Sequence, residues 1–179
     1  MSEEEGPIVN KIKQSKLETI DLQQFHDDTP VAELDIKDFL YEELMLKEEK
    51  YREHIKEHDW SQYKNHYLRV YCSTDAIVAT WAYMLVAKAA HPYAREVFFG
   101  SETAMRMELF RRNMKDFDWD HYKGPFVLLK GCSDIKVPEQ VYVYATQKLL
   151  EAGVKKLMYG EACSNVPIYK QPRKSRQER

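Results

Sequence analysis

An internal repeat constrains this chain more than any other feature. Residues 49–64 return 59 positions later at 108–123. Tyr51 is matched by Phe110, Arg52 by Arg111, Asp59 by Asp118, Trp60 by Trp119, Tyr63 by Tyr122 and Lys64 by Lys123. One extra residue in the second copy then lays Cys72-Ser73 on Cys132-Ser133 and Phe99-Gly100 on Tyr159-Gly160. A period of this length is a duplicated supersecondary unit, and its contents can be read locally.

Leu44, Tyr51 and Ile55 share one face of a helix at 3.6 periodicity, with Glu42, Glu49 and Lys56 outside it. Met107, Phe110 and Met114 do the same in the second copy. Loops with Asp59-Trp60 and Asp118-Trp119 lead into 67–71 and 126–130, which have the length and bias of buried strands. A largely apolar helix is expected over 76–90, and Pro138-Glu139 suits the start of its counterpart. Residues 96–99 and 156–159 read as further strands, each stopped by glycine. Residues 33–40 add a strand ahead of the first helix, and Thr19-Ile20-Asp21-Leu22 reads as an edge strand or a wrapping arm.

The rhythm predicts an α/β fold, a mostly parallel sheet built from two duplicated βα units of about 60 residues. The alternative is α+β with a mixed sheet. One domain is expected over 8–170, with repeats at about 37–100 and 96–160. An acidic disordered start (1–7) and a basic disordered tail (171–179) flank it.

The formal charge of -2 gives no general pull toward nucleic acid or an anionic membrane. The start Met-Ser-Glu-Glu-Glu-Gly-Pro lacks the cationic and apolar segments of a secretory signal. The longest apolar run, 76–87, falls short of the ~18 residues that a membrane span needs. An odd three cysteines make no disulfide framework. A cytoplasmic protein with free or metal-bound thiols is expected, without nucleic-acid or membrane partners. No G-x-G-x-x-G or P-loop pattern is present, the six histidines show no ligand spacing, and no nucleophile–base–acid set stands out.

Each cysteine is followed by serine, and each pair follows an apolar run that reads as a strand. Ligands of open α/β sheets collect beyond the carboxyl ends of strands, so Cys72, Cys132 and Cys163 are candidates for one site. A cysteine at a helix N-terminus is favoured as thiolate, and three thiolates suit zinc or an iron–sulfur cluster. Asp75, Asp134 and Asn165 are the nearest further ligands. The leading expectation is an accessory protein holding a metal or cluster through Cys72, Cys132, Cys163, Asp75 and Asp134. The rivals are a thiol or sulfur-transfer enzyme and an interaction module with structural cysteines, since free cysteine is often buried and Ser73 and Ser133 suit helix caps. A protein partner is expected, and Trp81 and Tyr83 on the most apolar helix suit core or homo-oligomer contacts.

The segments Ile8-Val9-Asn10-Lys11-Ile12, His58-Asp59-Trp60-Ser61-Gln62-Tyr63, Cys72-Ser73-Thr74-Asp75, Lys130-Gly131-Cys132-Ser133-Asp134 and Gly160-Glu161-Ala162-Cys163-Ser164-Asn165-Val166-Pro167 resemble the Bacteroidetes family catalogued as domain of unknown function 2480. The resemblance covers nearly all of 8–170 and implies no assigned activity. It also implies genes near those for sulfur mobilisation, which favours a role in iron–sulfur cluster assembly, carriage or sulfur handling.

Overall fold

The computed structural model describes residues 17–131 and 134–172. The expected acidic start, residues 173–179 of the expected basic tail, and Cys132-Ser133 lie outside the described residues. The chain divides into two compact units. Asp27–Leu109 forms an inserted unit, and Met1–His26 with Phe110–Arg179 forms a flanking unit.

The flanking unit holds a four-stranded sheet in the order β1-β5-β6-β7, from β1 (Leu17–Ile20), β5 (Phe126–Lys130), β6 (Lys156–Glu161) and β7 (Ser164–Lys170). Its first three strands are parallel and β7 is antiparallel. The inserted unit holds β2 (Val31–Asp35), β3 (Tyr67–Tyr71) and β4 (Glu96–Phe99), all parallel. The expectation of one mostly parallel sheet is therefore corrected to two. The reason lies in β1, which pairs with β5 from Leu17↔Phe126 to Ile20↔Leu129 and satisfies its backbone there rather than beside β2. The fold is mixed α/β, with a mixed sheet in one unit and a parallel sheet in the other.

In the inserted unit, side chains alternate across the sheet. Leu34, Leu68 and Val70 face a core completed by Tyr51 of α1 (Glu48–Glu57) and Ala82, Val86 and Ala90 of α2 (Thr80–Ala90). Val31, Tyr67 and Phe98 pack instead with Met105 and Leu109 of α3 (Glu102–Asn113), the helix within which the unit boundary falls. Tyr51 is fully buried, and its hydroxyl donates to the Ala82 carbonyl at 3.1 Å. That bond avoids the roughly 1–3 kcal/mol cost of an unpartnered buried hydroxyl. Leu44 departs from its expected helical face. It is exposed in a turn where Glu42 and Glu43 take positive φ and Tyr41 bridges Met45, so α1 starts only at Glu48.

In the flanking unit, Val127, Leu128 and Leu129 are buried in succession, as are Leu157 and Met158. Such runs mark parallel strands covered on both faces. Val141, Ala145, Leu149 and Ala152 form the buried stripe of α4 (Glu139–Ala152). Gly153 ends that helix in the left-handed region at φ 87°, where a side chain is disfavoured. Among the described residues, no helix is long and apolar enough to cross a membrane.

Candidate functional site

The carboxyl ends of the parallel strands are built alike in the two units. In the inserted unit, Asp35 follows β2 and caps the 3-10 turn Ile36–Phe39. Its Oδ1 accepts from Lys37 N and, across the sheet, from Ser73 N, both at 3.1 Å. Burial opposes the charge on Asp35, but the bonds from Ser73 and Lys37 outweigh it and lower the pKa. Thr74 Oγ1 donates to the Glu43 carbonyl at 2.9 Å, which ties residues 72–74 to the turn before α1.

In the flanking unit, Asp21 follows β1 and caps the 3-10 turn Leu22–Phe25, accepting from Gln23 N at 3.1 Å. Its Oδ2 accepts from Lys130 Nζ at 2.8 Å, and Asp134 N donates to Gln23 Oε1 at 3.2 Å. The bond to Asp21 holds the Lys130 ammonium above the ordinary lysine range, with Glu161 and Asp134 adding to it.

Beyond β5 and β6 a cleft of ≈ 730 Å³ opens, lined by Gly131, Asp134, Ile135, Lys136, Val137, Glu139, Tyr142 and Tyr159. A second hollow of ≈ 290 Å³ shares Tyr142 and Tyr159 and is otherwise lined by Leu129, Val143, Thr146, Gln147 and Ile168. The two tyrosines meet edge to face, with ring centroids 5.4 Å apart and planes at 87°. Gly131 leaves room for this. A Cβ there would lie 3.0 Å from Tyr159 Cζ and 3.2 Å from Gly160 Cα. Tyr142 is anchored through its hydroxyl, which donates to the Lys130 carbonyl at 3.3 Å.

The expected metal or cluster role is corrected here. Among the described residues, no group of three or more His, Cys, Asp or Glu side chains can hold a metal ion. Cys72 is partly buried against the inserted unit's core, with its Sγ 3.4 Å from Thr74 Oγ1. Asp75 is an exposed residue of the same loop. Cys163 belongs to the flanking unit and is exposed at the two-residue turn between Glu161 and Ser164, where β6 folds back into β7. Asp134 lines the cleft of the flanking unit, and Cys132 lies outside the described residues.

The whole pattern, from the strand ends to the hairpin beyond Gly160, lies within one family match. The family described as "Protein of unknown function (DUF2480)" matches residues 6–171. The chain belongs to that family. No curated protein and no solved structure matches it. The resemblance seen in the sequence is thus correct, and the DUF2480 family supplies no chemistry of its own.

Tyr142, Tyr159 and Lys136 were not singled out by sequence reasoning. Tyr142 follows the helix-opening Pro138-Glu139 at one turn's distance, and Tyr159 precedes a glycine that ends an apolar run. Both positions place side chains at the carboxyl end of the sheet, which is the signal that was available.

Proposed function

We propose that the flanking unit binds a small amphipathic ligand non-covalently in the cleft beyond β5 and β6. The observation that carries this reading is that the cleft and the apolar hollow share two lining residues, Tyr142 and Tyr159. A ligand there places a polar group among Asp134, Lys136 and Glu139 and an apolar group over Leu129, Val143 and Ile168. Sites of this kind recur as concave, mostly apolar hollows with a few polar groups that fix orientation.

The test is amide shift mapping with 8-anilinonaphthalene-1-sulfonate, an aromatic amphipath, on the full chain. Saturable shifts are expected at Gly131, residues 134–139 and Tyr159. Replacing the exposed Val143 with Asp is expected to weaken binding at least tenfold. Shifts confined to the inserted unit, or binding indifferent to Val143→Asp, would overturn the reading.

A second reading concerns partners, and exposed apolar side chains of the inserted unit support it. Ile77 is 95% exposed, Met84 on α2 is 65% exposed and Phe99 is 66% exposed. Large apolar groups left in water favour burial against a protein partner or a second copy. Trp81 contributes less, since it packs edge-on against Tyr51 at 5.8 Å. Light scattering of the purified chain tests the second-copy form. A dimer that Met84→Glu dissociates supports it, and a monomer at high concentration removes it.

We also infer that the two units descend from one duplicated βα unit of about 60 residues. Support comes from the order shared by both: an edge strand, a 3-10 turn capped by aspartate, and a central strand joined by a helix to the next parallel strand. Three sparse cysteines support a cytoplasmic setting.

A further inference from the structure

Resting on the ligand-binding reading above, we infer that the cleft takes a free α-amino acid with an apolar side chain, held by both of its charges. The charged lining has two signs. Asp134 and Glu139 bring carboxylates to the wider part of the cleft, and Lys136 brings an ammonium. Among the described residues, none of the three forms an ion pair with another side chain, so their charges are available to a ligand. Lys130 is different, because its ammonium is engaged by Asp21 at 2.8 Å.

A purely anionic head sits beside two carboxylates, and a purely cationic head sits beside Lys136. A head that carries an ammonium and a carboxylate on one carbon satisfies both signs at once. Placing opposite charges beside it sets orientation and discriminates against partners of one sign, because like-charge juxtaposition is unfavourable.

The apolar hollow sets the size of the other end. Its ≈ 290 Å³ holds about ten non-hydrogen atoms, at the roughly 30 Å³ that one water takes up in the liquid. That is enough for one aromatic or branched side chain and too little for a folded peptide segment. Tyr142 and Tyr159 line both the cleft and the hollow, so a ligand that occupies both has its Cα beside the tyrosine pair.

Calorimetry on the full chain near neutral pH tests this with three probes that share one ring. L-Phenylalanine carries both charges, 3-phenylpropanoate lacks the ammonium and phenethylamine lacks the carboxylate. L-Phenylalanine is expected to bind at least tenfold more tightly than either. Lys136→Met is expected to erase its advantage over phenethylamine, and Asp134→Asn with Glu139→Gln its advantage over 3-phenylpropanoate. Equal affinities for the three probes, each lost in Val143→Asp, would overturn the zwitterion and leave the ligand site standing. The same follows if the naphthalene probe maps to the cleft while L-phenylalanine does not bind. If neither probe engages the cleft, both readings fall together.

Discussion

The inserted and flanking units build their strand ends with the same device and finish them differently. In each, an aspartate after the edge strand caps a 3-10 turn and reaches the carboxyl end of the central strand, Asp35 at Ser73 just beyond β3 and Asp21 at Lys130, the last residue of β5. In the inserted unit the residues beyond β3 are then tied down, because Thr74 reaches the Glu43 carbonyl in the turn before α1. In the flanking unit the chain leaves after its 3-10 turn, and its next residues belong to the inserted unit. The described strand end there opens into a cleft.

The largest expected effect lies in the part of the flanking unit that the inserted unit lacks, the β6–β7 hairpin. Gly160 has φ +125°, and a Cβ there would meet the Ser164 carbonyl oxygen at 2.6 Å. Gly160→Ala is expected to cost about 2–4 kcal/mol, since both the conformation and the backbone contact oppose a side chain. Because Ile168 of β7 walls the apolar hollow, ligand binding should fall with it. Urea denaturation checks the first effect and the naphthalene probe the second. A loss below about 0.5 kcal/mol would mean that the hairpin is not held as described.

Next in size is acid sensitivity, which should single out the inserted unit. Burial raises the pKa of Asp27, but bonds from Thr29 and Tyr67 and the Arg95 charge outweigh it and lower it from 3.8 to about 2. A depressed carboxylate pKa stabilises the fold above the unfolded value. That stabilisation is lost as pH falls from 3.8 toward 2. With allowance for solvent screening, it amounts to about 1–2 kcal/mol. His58 acts in the same direction from a higher pH. Burial lowers its pKa despite Asp59, so the unfolded chain takes up the proton first and stability drops as pH falls below 6.5. Acid incubation followed by a hydrogen-exchange pulse at fixed pH should show protection lost first in Asp27–Leu109. Asp27→Asn should remove the step between 3.8 and 2. Simultaneous loss in both units would break the contrast.

A smaller change probes the tie at Thr74. Thr74→Val removes the bond to the Glu43 carbonyl and is expected to cost about 0.5–1.5 kcal/mol. Exchange should quicken at Ser73 and in the turn 41–45, with the flanking unit unmoved. Equal change in both units would show that the tie is not local.

Most of the strands were legible because they depend on local pattern. Runs such as Val127-Leu128-Leu129 bury consecutive side chains, and the Asp-Trp loops cap turns with their own residues: Asp59 accepts from Ser61 N at 3.0 Å and Asp118 from His121 N at 3.2 Å. The edge strand β1 was legible as one of two readings, and its partner was not, because pairing Leu17 with Phe126 spans the whole inserted unit. β7 was missed for a chemical reason. Its turn, Ala162-Cys163, has none of the glycine or asparagine that marks a tight hairpin, and Pro167 argues against a strand except at an edge, where it sits. The site was legible only as a place. The described cleft does lie at strand ends, but glycine and tyrosine shape it and neither described cysteine lines it.

The two described cysteines offer the finest contrast. Cys72 packs against the inserted unit's core beside Thr74, while Cys163 stands exposed at a hairpin tip. Cys72→Ala should cost about 1 kcal/mol for lost packing, and Cys163→Ala should stay within about 0.5 kcal/mol of the parent. Iodoacetamide under native conditions, with each cysteine peptide read separately, is expected to label Cys163 at least tenfold faster than Cys72. Access governs that ratio, since alkylation needs the thiolate to meet the reagent in water. In Thr74→Val the ratio should narrow from the Cys72 side alone, because the bond that holds residues 72–74 against the turn is gone. An unchanged ratio there, with Cys72 still slow, would place its protection in the core rather than in the bond from Thr74 to the turn.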